Sequence, residues 1–281
     1  MARKWFAEIP GSPGLFRVPF ILNVTAVYVR SPVALSEIFV KKSYDFEKVP
    51  GTRRFLAWLV GWGLLTAEGD EHKRQRRDLM PAFSFRHIKD LYPLFWSKSC
   101  EVVQAMATEV EKNADANGVA DVEIASWSTR TGLDIIGLAA AGIDFGSIQN
   151  ADNPLANAYN LLNPDASDLF LVQVRAVLPE WIAANLPMKR VRGINKAKAI
   201  IRNACKELVE QKKRKLANKE DVGFDIASVA MQSGRFDDEQ LVDQMLTFLS
   251  AGHETTASAL VWSIYLLSKY PAVQDKLRAE S

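Results

Sequence analysis

The sequence predicts a mainly α-helical protein with a small β hairpin near its amino terminus. Three observations predict it. Residues 241–267, LVDQMLTFLSAGHETTASALVWSIYLL, are apolar on nearly every face, which suits a helix covered on all sides by protein. Apolar residues recur at helical spacing over 86–112, 123–142, 153–163, 168–185, 189–217, 238–269 and 271–280. Near the front, Phe16, Val18 and Phe20, and then Val24, Val27 and Val29, suit two short strands.

The boundaries follow from turn chemistry. Polar turns at 113–121, 147–154 and 217–225 separate the helical stretches, but none is long enough to be an independent linker, and no repeat is present. Asp237 with Gln240 three residues on reads as the start of the central helix, and Pro271 stops it at Tyr270. Residues 189–215 hold eleven Lys or Arg against two Glu. They form an amphipathic helix with Ile200, Ile201, Ala204, Leu208 and Val209 inward and a solvated basic face, or one that touches anionic lipid headgroups.

Composition excludes several classes. A chain of 281 residues with 48% apolar content can bury a sizeable core, and a net charge of +2 is too small to imply nucleic acid. Cys100 and Cys205 are too few for a disulfide scaffold and, on amphipathic helices, read as buried packing thiols. The early apolar run VPFILNVTAVYV is shorter than the roughly twenty residues that span a bilayer. The apolar stretch around His253 and Glu254 is rejected as a span because both groups would be costly at mid-bilayer.

Candidate chemistry lies at Ala251-Gly252-His253-Glu254-Thr255-Thr256. In an apolar helix, Glu254 reads as a carboxylate held out of water, a setting common at functional sites. Thr255 is placed to bond back to the Ala251 carbonyl beside Gly252, loosening one turn. The expectation is a local groove lined by a proton-carrying pair; the competing reading is a buried Glu254 meeting an Arg from a neighbour. In residues 67–85, His72 and Arg76 lie four apart, so both offer N–H donors to one side of a helix, while Lys73, Arg74 and Arg77 read as solvated.

These two motifs, about 180 residues apart, resemble the cytochrome P450 family of heme-thiolate monooxygenases. Ala251, Gly252, Glu254 and Thr255 match its oxygen-binding turn in the distal helix; His72 and Arg76 match its heme-propionate grip, with Met-Pro-Ala-Phe-Ser following. Residues 31–38 and 42–48 resemble the short helix and turn after the first hairpin of eukaryotic members, with a fungal flavour. The resemblance implies a P450-like helical fold over 1–281 as a single incomplete domain. It implies heme as cofactor, Glu254 and Thr255 as catalytic residues, and His72, Arg76, Ala251 and Gly252 as cofactor-binding residues. It further implies O2, an NADPH-dependent reductase and a lipophilic small-molecule substrate as partners. Phe55, Trp58 and Leu64 in the apolar segment 55–65 are substrate-binding candidates, beside the alternative of plain core packing. The family's membrane anchor, its Glu-x-x-Arg helix and its glycine-rich cysteine loop find no match in the chain. The resemblance therefore implies a chain truncated after the distal helix, with no axial thiolate, no metal ligand and no activity of its own. Its parent would rest on the cytosolic face of the endoplasmic reticulum membrane. The alternative is a heme-free fragment or helical binding protein derived from that family.

Overall fold

The computed structural model describes residues 14–19, 25–162, 168–220 and 222–280. They fall into two compact units, Met1–Val49 and Pro50–Ser281.

In the first unit, β1 (Leu15–Pro19) pairs antiparallel with β2 (Thr25–Val29). Phe16 faces Tyr28, with ring centroids 5.2 Å apart. Phe20 and Val24, expected in these strands, lie outside the described residues. Helix α1 (Pro32–Ser36) follows, capped by the Ser31 hydroxyl and started by Pro32, and runs into a π-helical turn, Glu37–Lys41.

The second unit is helical. It contains α2 (Pro50–Val60), α3 (Gly69–Leu79), a 3-10 turn (Met80–Phe83), α4 (Phe85–Asp90), α5 (Tyr92–Asn113) and α6 (Ile124–Ala141). It continues with α7 (Pro154–Asn160), α8 (Asp168–Val177), α9 (Glu180–Ala183), α10 (Lys189–Ala217), α11 (Ile226–Gln232), α12 (Asp238–Lys269) and α13 (Pro271–Glu280). The stretch expected as one helix over 86–112 breaks at Leu91, because Pro93 fits only the first turn of a new helix. Pro179 divides 168–185 in the same way. Helices α2 and α11 were not anticipated. Helix α11 is short, at seven residues, and depends on the Asp225 side chain, which accepts from the Ser228 amide.

The central helix α12 starts in a complete capping box between Asp237 and Gln240 and ends before Pro271. Its main neighbour is α6, with α10, α11 and α7 around them. Leu133, Ile201, Cys205, Leu208, Met245 and Leu249 form the heart of this core. Close approach of α6 and α12 depends on glycine. A Cβ on Gly132 would meet the His253 carbonyl oxygen at 2.9 Å, and one on Gly252 would meet Ile136 at 2.5 Å. A second cluster holds Phe55, Trp58, Leu171, Val191 and Ile194.

Cys205 is a packing thiol, pushed up to about 12 by burial, so it stays protonated and uncharged at neutral pH. Cys100, also expected to be buried, is exposed, because it sits on the outer side of α5. On α10 the expected apolar residues face inward. Lys212 goes in with them, and its ammonium pairs with Asp225 and donates to Ser228 Oγ at 2.9 Å.

Candidate active site

The amino-terminal half of α12 is held by polar groups that reach across to the loop after α2. The Asp243 carboxylate accepts from the Trp62 amide at 2.8 Å and from Arg202 Nη1 at 2.8 Å. Gln244 Oε1 accepts from the Leu64 amide at 3.0 Å, and Gln244 Nε2 donates to Gln75 Oε1 at 2.8 Å. Thr247 Oγ1 donates to the Val60 carbonyl at 3.3 Å. Gly61, at φ +78, supplies the left-handed turn, and a Cβ there would meet Asp243 Oδ1 at 2.6 Å. The sequence offered no sign that Asp243, Gln244, Thr247 and Gln75 act together, because their partners lie between 41 and 187 residues away.

One turn further on, the helix changes character. Thr255 Oγ1 donates back to the Ala251 carbonyl at 2.8 Å, as its spacing predicts. The expected burial of Glu254 is not found. Ala251, Glu254, Thr255 and Thr256 are exposed, and Glu254 makes no ion pair among the described residues. The reason is angular: α6 covers the side carrying Gly252, His253 and Ala257, and Ala251, Glu254 and Thr255 point away from it. The open face continues along the helix, with Trp262 63% exposed and Tyr265 and Leu266 half-exposed.

The expected single groove is two clefts. One, of about 350 Å³, is apolar and bordered by Phe83, Phe95, Ile136, Gly252 and Thr256. The other, of about 280 Å³, is bordered by Thr129, His253, Glu254, Ser258 and Trp262. Thr255 borders neither. His253, which is not among the residues matched to the motif, is the most enclosed polar member of the turn. Its Nδ1–H donates to the Leu249 carbonyl at 2.7 Å, and its ring lies 4.3 Å from that of Tyr159. Burial pushes its pKa below the ordinary histidine value, which keeps the ring neutral at pH 7.

Helix α3 meets α12 through the Gln75–Gln244 pair. Gln244 and Ala251 are seven residues apart and share one stripe of α12, so α3 covers this stripe two turns before it opens. His72 is half-buried and Arg76 exposed, with no hydrogen bond or ion pair to Arg76 among the described residues. The neighbouring cations are occupied: Lys73 pairs with Asp70, Arg74 with Glu71, and Arg77 with Asp78. Phe55 and Trp58 lie in the second core cluster, where Trp58 Nε1 donates to Asn195 Oδ1 at 3.2 Å. Leu64 is half-buried beside the main core.

Comparison with known proteins decides what this arrangement is. Residues 14–281 match the family model of cytochrome P450. The chain belongs to the cytochrome P450 family. Its fungal relatives include the cytochrome P450 monooxygenase sphH of Aspergillus fumigatus, 41% identical over 100% of this chain and 52% of the relative. Another is the cytochrome P450 monooxygenase FUM15 of Gibberella moniliformis, 40% identical over 98% of this chain and 48% of the relative. The chain thus spans about half the length of the curated relatives it matches. The crystal structure of the cytochrome P450DA heme domain superposes with a TM-score of 0.70 at 24% identity, covering 98% of this chain and 57% of that one, and shares the P450 fold. Among the described residues of this P450 chain, no helix is long and apolar enough to cross a membrane.

Proposed function

We propose that the full-length protein carrying this chain is a heme-dependent monooxygenase that hydroxylates a lipophilic small molecule with O2 and electrons from an NADPH-dependent reductase. Residues 1–281 then form one incomplete domain of it. The observation that carries this reading is the open stretch of α12 at Ala251 and Thr255, bounded by α3 with its uncommitted Arg76. A small residue and a hydroxyl on an uncovered helix face leave room for a flat apolar ring, and Arg76 offers donors to an acidic edge. These residues fit heme on that side. When bound, heme supplies the redox chemistry that activates O2.

The chain's own residues have separable roles. Arg76 and His72 bind and orient the acidic edge of the cofactor, and Ala251 leaves space for its face. Gly252 acts by position, since its missing side chain lets α6 press against α12. Thr255, tied to the Ala251 carbonyl, holds a hydroxyl oxygen at the open face where it can orient water. Glu254, at the rim of the smaller cleft, moves protons between solvent and that face. Leu64 contributes to the substrate boundary, whereas Phe55 and Trp58 shape it from within the core. Exposed Leu169, Phe170 and Trp181 support an association with the cytosolic face of the endoplasmic reticulum membrane.

Heme occupancy of the full-length protein tests the assignment. Replacing Arg76 by Leu should lower occupancy several-fold, as expected for loss of a charge-assisted bond of about 1.5–3 kcal/mol. The same change at Arg77, which pairs with Asp78, should leave occupancy unchanged. Equal occupancy in both variants would remove Arg76 from the site.

A further inference from the structure

Helix α6 carries a cation that the proposed chemistry does not use. Arg130 is 8% exposed, and its guanidinium lies 3.7 Å over the Trp127 ring. Nη1 donates to the Ile148 carbonyl at 3.3 Å, and Nε is enclosed without a partner among the described residues. Nη2 makes no hydrogen bond among the described residues, and Arg130 borders a cleft of about 310 Å³ between α6 and α7. Among the described residues no carboxylate contacts the guanidinium. Asp134, one turn on, already accepts from the Ser147 and Ile148 amides at 2.8 and 2.9 Å. Glu109 and Glu123 act on Arg130 only through space. A buried guanidinium with an open donor and no carboxylate in contact is disfavoured unless an anion joins it.

We propose that Arg130 anchors a binding site for a small oxyanion, a phosphate or a carboxylate, in this cleft. The planar guanidinium presents its donor edge to two anion oxygens, and stacking on Trp127 fixes its plane. Ser126 and Asn160 border the same cleft, and neither side chain has a protein partner among the described residues, so both can donate to the anion. Thr129 contributes shape only, because its hydroxyl donates to the Ala125 carbonyl at 2.9 Å. Glu123 at the rim opposes a second negative charge and favours a monoanion. The site does not depend on the heme reading, since none of its members lies on α3 or α12.

Calorimetric titration of inorganic phosphate, and separately of acetate, into the full-length protein at constant ionic strength tests it. One saturable site per chain is expected. Arg130→Gln should weaken binding at least about tenfold, the loss of one charge-assisted bond. Glu123→Gln, at an exposed position that tolerates change, should tighten it about twofold. Binding of acetate but not phosphate assigns the site to carboxylates. Absence of saturable binding for both anions overturns the proposal. So does unchanged affinity in Arg130→Gln or, if that variant does not fold, in Glu123→Gln.

Discussion

The two halves of α12 share one apolar character and differ in what surrounds their polar residues. Before Ser250, Asp243, Gln244 and Thr247 are buried, and each has a named partner on the end of α2, on the loop after it, on α3 or on α10. After Ser250, Glu254 and Thr255 are exposed, and among the described residues the only bond made by either side chain is that from Thr255 to its own helix. Polar groups of the first kind hold the fold together, because burying them without partners would be unfavourable. Those of the second kind contribute little to stability and remain available for chemistry.

That contrast is broken most severely at Asp243. Its replacement by Ala leaves the Trp62 amide without an acceptor and the Arg202 guanidinium with Glu239 alone, and should cost about 3 kcal/mol, read as a lowered denaturation midpoint. A cost under about 1 kcal/mol would show that the strap does not hold the helix. Gly252→Val comes next, at about 2 kcal/mol, because its side chain would collide with Ile136. Ile136→Ala in the same protein should recover part of that loss, and a double-mutant cycle with no coupling would place Gly252 elsewhere.

His253 gives a smaller, pH-dependent effect. Burial lowers its folded pKa below the unfolded value, so the unfolded chain binds the proton more readily. Its contribution is intact above the unfolded value near 6.5 and is lost as pH falls through it toward the lower folded value. His253→Phe should therefore flatten the decline in stability between about pH 7 and pH 5. An unchanged decline would assign the acid sensitivity to other groups.

Much of the fold was legible in the sequence. The long helices, the capping box at Asp237 and the stop at Pro271 rest on local signals and appear as expected. The turn Ala251–Thr256 was legible as a motif, and the bond from Thr255 to Ala251 followed from spacing alone. The environment of Glu254 was not legible, since apolarity around a helix reports that cover is needed but not which residues provide it. The strap through Gln75, Gly61 and Gln244 was hidden for a related reason: contacts between distant residues leave no local pattern. Arg130 gave no signal either, as a lone arginine on an amphipathic helix normally reads as solvated.

Thr255 probes the divide most directly. Thr255→Ala should change stability by less than about 0.5 kcal/mol, because its side chain is exposed and bonds only within its own turn. The decisive measurement is the ratio of peroxide to hydroxylated product formed by the full-length Thr255→Ala protein, taken alongside its heme content. The account predicts unchanged heme content and a several-fold rise in peroxide per electron consumed. An unchanged ratio at full heme content would contradict it.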